Sequence, residues 1–427
     1  MQSSERQTRM RFCSGLSASA ETSRAAEMVS EHCGHTLGGQ ADVAFVFFTA
    51  HHCEFASVIA QTVQKRLNPG VLIGVSAGAV IGDGTELEGA PGVSLLCAKL
   101  PGARATGFSV LDFPIPEDTD EGRAALAKAA GYGADQRCTI LLADPFSTPL
   151  IRLLPAMNAA RPEGVASGIF GGLASAASQP NGNVLILNDR VLTSGGVGVT
   201  LGGDFRVDSL VSQGCRPFGP NLVVTKAQRN IIFELGGRPA LEAVSEAVGS
   251  LTDEQREGLK GGLFIGRVIS EYKDRFGRDD FLIRSVTGVD HNRGAIAVGE
   301  LMHVGQTIRL HMRDARTAHE DLALLLDAQR LYETPRGVLL FTCNARGRRL
   351  FDQPNHDAGM ISRAFLPGPP GESRAKPGAE IDPSAGPVVP LAGFFASSEI
   401  GPLAGRSYVH GNTACAAIFR ETGNASE

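Results

Sequence analysis

The feature that most limits the fold of this chain is a recurrence. A buried strand, a helix, a glycine-rich strand and a turn-linked apolar segment follow one another twice in its first half. In the first passage, residues 41–48 are a run rich in Val and Phe, and residues 55–67 carry Val58, Ile59, Val63 and Leu67 on one helical face. Residues 70–80 read as a second apolar strand, Asp83-Gly84 supplies a turn, and residues 92–97 return as a strand. In the second passage the order is strand 138–143, helix 149–159, glycine-rich strand 165–174, Asn181-Gly182, and apolar stretches 184–187 and 195–200. The first copy carries Gly74-Val75-Ser76-Ala77-Gly78 and the second Gly168-Ile169-Phe170-Gly171-Gly172. Glu86 and Glu88 alternate with other residues as on a half-exposed strand, and the Asp-Gly turn before them joins antiparallel neighbours. The sheets are therefore expected to be mixed and antiparallel-rich, unlike a simple parallel nucleotide-binding wind.

At 427 residues the chain exceeds one ordinary core, so two domains are expected. Residues 1–36 read as a helical lead-in, 37–235 as an N-terminal domain built from the duplicated unit, and 236–262 as a connecting helix and linker. Residues 263–427 read as a C-terminal domain. Pro239 stands where it can open a helix from Ala240. Beyond it, strands are expected at 263–268, 281–286, 295–298, 307–312, 337–341, 391–395 and 413–419, with an amphipathic helix at 315–331. The proline- and glycine-rich stretch 367–390 reads as a mobile loop. The fold class is α+β: two domains of antiparallel-rich, mixed sheets layered with helices.

A net charge of −5 supplies no overall attraction to nucleic acid or to an anionic membrane. No run of about 20 apolar residues is present to span a bilayer, and the polar start lacks the apolar segment of a secretory signal, so a cytoplasmic protein is expected. The eight cysteines include no CxxC pair and read as reduced, mostly buried thiols.

Strong catalytic signatures are missing: no P-loop, no HExxH, no zinc quartet. Gly74 to Gly78 fits the G-x-S-x-G of a hydrolase elbow, but an elbow needs a helix directly after Ser76, and here an apolar strand and a turn follow. Small residues that admit a neighbouring backbone are the favoured reading of that segment. His32-Cys33-Gly34-His35 and His51-His52-Cys53 carry metal-ligand side chains, yet sequence neighbours on a strand point to opposite sides, which favours ordinary structural roles. Arg313-Asp314 reads mainly as the turn before a helix. Cys343-Asn344-Ala345-Arg346-Gly347 is more telling, because its polar side chains emerge where a buried strand ends. Its companion is the turn holding Glu399, followed by His410. Arg346, Glu399 and His410 can converge on a small zwitterion, Arg on its carboxylate and Glu on its amine. Alternatively, an Arg–Glu ion pair pins two loops.

These motifs resemble the FIST family. Its C-terminal domain is matched by Cys343 to Gly347, by Gly393-Phe394-Phe395 leading to Glu399-Ile400-Gly401-Pro402, and by His410 and Thr413-Ala414. Ser398 stands where the family often has Gly. Its N-terminal domain is matched by the strand at residues 43–49 with His51-His52, by Leu72 to Gly78, and by Gly236-Gly237-Arg238-Pro239. The resemblance implies a sensory module of signal transduction that binds small ligands, amino acids among them, and hands its signal to a separate output protein such as a kinase, as a monomer or a homo-oligomer. The expected ligand-binding residues are Cys343, Asn344, Arg346, Glu399, His410 and Ser76. No catalytic residue, metal or cofactor is expected. Two other readings stand behind this one: a hydrolase using Ser76 or Cys343, and a haem or nitric oxide sensor.

Overall fold

The computed structural model describes residues 9–114, 117–165, 167–273, 275–277, 280–366 and 389–422. The chain forms two compact units, Met1–Val211 together with Leu324–Glu427, and Ser212–Ala323. Both are built mainly of sheet, and the fold is α+β. By compactness the chain leaves the first unit, builds the second and returns to the first.

The recurrence extends to a third copy. The first copy is β1 (Arg11–Ser17), α1 (Thr22–Leu37), β2 (Val43–Thr49), α2 (Ala56–Leu67), β3 (Val71–Ala77), a hairpin of β4 (Ala79–Gly82) and β5 (Thr85–Glu88), and β6 (Val93–Lys99). The second is β7 (Arg104–Ser109), α3 (Asp120–Ala129), β8 (Gln136–Ala143), α4 (Leu150–Ala159), β9 (Gly168–Leu173), a hairpin of β10 (Leu185–Leu187) and β11 (Arg190–Leu192), and β12 (Gly196–Gly202). The third opens with β13 (Phe205–Ser212). The second unit is then inserted: β14 (Cys215–Gln228), β15 (Ile231–Leu235), β16 (Arg238–Pro239), α5 (Ala240–Gly249), α6 (Asp253–Glu257), β17 (Leu263–Val268), β18 (Phe281–Asp290), β19 (Ala295–Val298) and β20 (Thr307–Arg313). After it the third copy resumes with α7 (Ala315–Gln329), β21 (Gly337–Cys343), α8 (His356–Ala364), β22 (Leu391–Ala396), a hairpin of β23 (Glu399–Leu403) and β24 (Arg406–His410), and β25 (Ala414–Glu421).

In each copy the two strands flanking the central helix pair in parallel: β2 with β3, β8 with β9, β21 with β22. Each hairpin is given away to another copy's sheet. The strand orders are β1-β6-β2-β3-β10-β11, β7-β12-β8-β9-β23-β24 and β13-β25-β21-β22-β4-β5. Thus the first hairpin completes the third sheet, the second completes the first, and the third completes the second. All three hairpins turn on two residues, Asp83-Gly84, Asn188-Asp189 and Ala404-Gly405, and the first position is left-handed in each, with φ of 50°, 55° and 49°. One apolar core is shared by all three sheets and includes Phe47, Leu142, Phe341 and Phe394. The outer faces of the first two sheets pack on helices, α1 and α2 on one and α4 on the other. Both faces of the central strands are therefore buried, which is why they read as continuous apolar runs.

The registers fix which residues are equivalent. Phe47 lies opposite Val75, Leu142 opposite Gly172, and Phe341 opposite Phe394. One residue earlier come Gly74, Gly171 and Gly393. A Cβ on Gly74 would stand 2.7 Å from the Val46 carbonyl oxygen, and on Gly171 or Gly393 it would overlap the carbonyl oxygen of Leu141 or Leu340. The glycines recur because the parallel partner's backbone leaves no room for a side chain.

The second unit is a closed antiparallel barrel, ordered β14-β20-β17-β18-β19-β15 and sealed by pairing of β15 with β14. Its interior is filled by Ile265, Ile308, Leu310, Ile296 and their neighbours, with α5 contributing Ala243 and Val244.

Several details differ from the reading of the sequence. The single strand expected at 70–80 is two strands in two sheets, broken at Gly78. The helical lead-in also holds a strand, β1. Glu86, read as half-exposed, is buried. Of the loop at 367–390, residues 367–388 lie outside the described residues.

Candidate ligand site

Where β21 ends, the chain turns through Asn344 and Ala345 and buries Arg346 completely. Gly347 follows with φ of 58°, and a side chain there would collide with the Glu88 carboxylate and Phe395. This turn therefore requires glycine and aims the preceding guanidinium inward. Asp357, in the first turn of α8, grips it at two points: Nε to Oδ2 at 2.6 Å and Nη2 to Oδ1 at 2.8 Å. Thr342 Oγ1 donates to Asp357 Oδ2 at 2.6 Å, and His356 Nδ1 lies 2.9 Å from Oδ1. The Phe351 ring stacks on His356, and Arg346 lies 5.3 Å from its centroid. Burial alone would raise the Asp357 carboxyl, but the Arg346 charge and hydrogen bonds outweigh it and hold it well below the usual carboxylate range.

Two further carboxyls lie near the same guanidinium. Glu86 comes from β5, the hairpin donated by the first copy. Its Oε1 accepts the Ala358 N–H at 3.0 Å, and burial together with the neighbouring Asp357 charge pushes it up to about 8. Glu399 opens β23. Its Oε2 accepts both the N–H and the hydroxyl of Thr413, at 3.0 and 2.8 Å. Burial pushes it up to about 8 as well, against the lowering effect of Thr413 and Arg346. The Cys343 thiol stands beside Glu399, and the Cys415 thiol nearby is raised by burial and by the Glu399 charge.

The strand registers supply an internal control. Glu399 lies opposite Gly172, Val80 opposite Phe394, and Leu185 opposite Val75. These three positions are equivalent, so a carboxyl occupies in one copy the place that an apolar side chain fills in the other two. Folding of the repeat does not need a charge there.

Of the residues singled out from sequence, Cys343, Arg346 and Glu399 are brought together. His410 faces Glu399 across the β23–β24 ladder, and its Nε2 donates to the Gly401 carbonyl at 2.9 Å. Asn344 is half-buried, with its N–H on the Ala396 carbonyl. Ser76 is engaged elsewhere: it is fully buried on β3 and its hydroxyl accepts the Val184 N–H at 2.8 Å. β4 starts two residues after β3 ends, so no helix follows Ser76 as an elbow requires. Asp357 and Glu86 escaped the sequence reading. The signal for Asp357 was a carboxylate in the first turn of a helix following the Arg-bearing loop.

The other motifs have local roles. His32 and His35 are exposed on α1, while His52 is buried with Nδ1 2.9 Å from Thr22 Oγ1. Asp314 accepts the Thr317 N–H at 2.7 Å and caps α7.

Residues 42–238 match the FIST N domain and residues 240–402 the FIST C domain. An uncharacterized protein of Mycobacterium tuberculosis strain H37Rv is 37% identical over 417 residues, covering 96% of this chain and all of the relative. An uncharacterized protein of Mycobacterium bovis is 35% identical over 416 residues, covering 96% of this chain and 99% of its own length. No helix among the described residues is long and apolar enough to cross a membrane.

Proposed function

The chain belongs to the FIST family, whose domains are associated with sensory functions in signal transduction, and from that premise we propose that it is a small-ligand sensor whose site is the Arg346–Asp357–Glu86–Glu399 cluster. The observation that carries the proposal is the difference between the copies: Val80 and Leu185 keep their positions apolar, and Glu399 does not. A buried carboxyl costs stability unless something compensates it. A ligand that meets it is such a compensation. Amino acids are the ligand class this reading favours, since they carry an amine suited to Glu399.

The site also suits a switch. Glu399 belongs to a hairpin that completes the second sheet, whereas Glu86 belongs to the third and Arg346 to the turn that follows its strand β21. A ligand held among them favours one arrangement of the two sheets over another and shifts the population accordingly. In this reading a separate signalling protein, a kinase for instance, receives the change. Ser76, one of the two nucleophiles of the hydrolase reading, accepts the Val184 N–H, and its other candidate, Cys343, stands beside Glu399.

A thermal-shift screen of the common amino acids tests the proposal. A ligand that binds the folded state at a hundred times its dissociation constant adds about 2.7 kcal/mol, a readily measured rise in Tm. If no amino acid or related small molecule raises Tm at millimolar concentration, the proposal fails.

A further inference from the structure

Asp357 already holds Arg346 at two points, whereas two other buried carboxyls beside it, Glu86 and Glu399, each keep one oxygen without a partner among the described residues. We infer that the group this site recognises is an ammonium cation received by Glu399, and that a carboxylate on the ligand is dispensable. The inference rests on the sensor reading above and narrows its ligand.

Among the described residues Arg346 acts on Asp357, Glu86 and Glu399, and Asp357 takes its Nε and Nη2 in a two-point pair. A ligand carboxylate could repeat that two-point pair only by displacing a completely buried Asp357 that Thr342 and His356 also hold. Arg346 is thus a fixed part of the wall. Facing it are two more carboxyls, Glu86 and Glu399, with Glu88 at the edge accepting the Arg348 N–H. His356 lies against Asp357.

Oxygen atoms are left over as well. Glu86 Oε2 and Glu399 Oε1 are buried and lack hydrogen-bond partners among the described residues. An unsatisfied buried oxygen is costly, and an ammonium, which carries only donors, satisfies it. Glu399 is the better receptor, because Thr413 fixes its Oε2 and so orients Oε1, with the Cys343 thiol beside the carboxyl. A metal ion is a poorer fit: no three His, Cys, Asp or Glu side chains among the described residues gather as ligands. The half-buried Asn344 and the exposed Gly78 and Ser397 mark the side from which an amine would enter.

The test uses the full chain and three matched sets of probes: alanine and leucine, ethylamine and isoamylamine, and N-acetylalanine and N-acetylleucine. Binding is followed by calorimetry at pH 7. The inference expects the free amines to bind and the N-acetylated acids not to. It also expects Glu399→Gln to weaken amine binding by about tenfold or more, the loss of one charge-assisted hydrogen bond. Because Glu399 holds a proton in the empty site, amine binding should release about one proton, read from runs in buffers of different ionisation enthalpy. Proton release by the native chain keeps the test open should the variant not fold. If the N-acetylated acids bind as well as the parent amino acids while the amines do not, the inference is overturned and the sensor reading stands. If amines bind without proton release and Glu399→Gln leaves them unaffected, the inference is overturned too. If none of the probes, nor any other amino acid, binds, both fall.

Discussion

Arg346 and Asp357 form a two-point ion pair with neither side chain exposed to solvent, joining the turn after β21 to the first turn of α8. Removing one member strands the other. Asp357→Leu leaves a buried guanidinium without its main counter-charge and should cost about 3–5 kcal/mol. Replacing both, as Arg346→Met with Asp357→Leu, removes the uncompensated charge and should recover a large part of that loss. Urea unfolding of the two single variants and the double variant gives the coupling directly. Additive costs would show that the pair does not act as a unit.

Glu399 should make the protein less stable as pH rises. Its folded value of about 8 stands above its ordinary 4.5, so between these values the folded chain holds a proton that the unfolded chain has released. Stability then falls with rising pH, by at most about 1.4 kcal/mol per pH unit for each such carboxyl. Glu86, also raised to about 8, adds a slope of the same sign. Glu399→Gln keeps the shape and removes one slope. The variant should therefore gain Tm relative to the native chain on going from pH 5 to pH 9. A constant difference across that range would place the titration elsewhere.

The glycines of the parallel pairs should tolerate nothing larger. Gly393→Ala puts a methyl into the Leu340 carbonyl and Gly171→Ala into that of Leu141, so strands must separate. Each is expected to cost about 3 kcal/mol or more and to yield little soluble protein. Gly78→Ala is the contrast: its Cβ would meet its nearest neighbour, the Ser175 carbonyl, at 3.4 Å. That substitution should change stability by less than about 1 kcal/mol.

The repeat was legible because its strands are buried on both faces. Residues 43–49 and 136–143 stand out as apolar runs, and the glycine-rich strands beside them mark the same step of each copy. The third copy was not legible, because the barrel interrupts it between β13 and α7 and separates its opening strand from the rest. Exchange of hairpins was also hidden. A strand's local pattern states that it pairs, whereas the choice between its own sheet and a neighbour's depends on contacts far along the chain. At the site, Arg346 and Glu399 were found through their position at strand ends. Glu86 was misread since a carboxylate on an alternating strand is ordinarily the solvent-facing residue, and only α8, packed across β5, buries it. Asp357 lies in a short helix whose apolar positions are too few to announce it.

The barrel should fail at the opposite end of the pH scale. His311, on β20, is buried, with Nδ1 donating to the Arg309 carbonyl at 3.0 Å and its ring against Phe281. Burial lowers its value to about 4 from an ordinary 6.5. As pH falls through that interval the unfolded chain takes up a proton that the folded barrel refuses, so stability declines with acid. Glu86 and Glu399 give the first unit an alkaline slope, and His311, lowered further than the first unit's His52, gives the barrel the steeper acid one. Hydrogen exchange read by peptide should show residues 212–323 losing protection first at pH 4.5, and the strands around Glu399 losing it first at pH 9. His311→Gln should remove the acid sensitivity of β17 and β20 and leave the alkaline behaviour of β23 unchanged. Loss of protection in both units together at both extremes would mean that the chain opens as one cooperative body and that His311 does not set the barrel's acid limit.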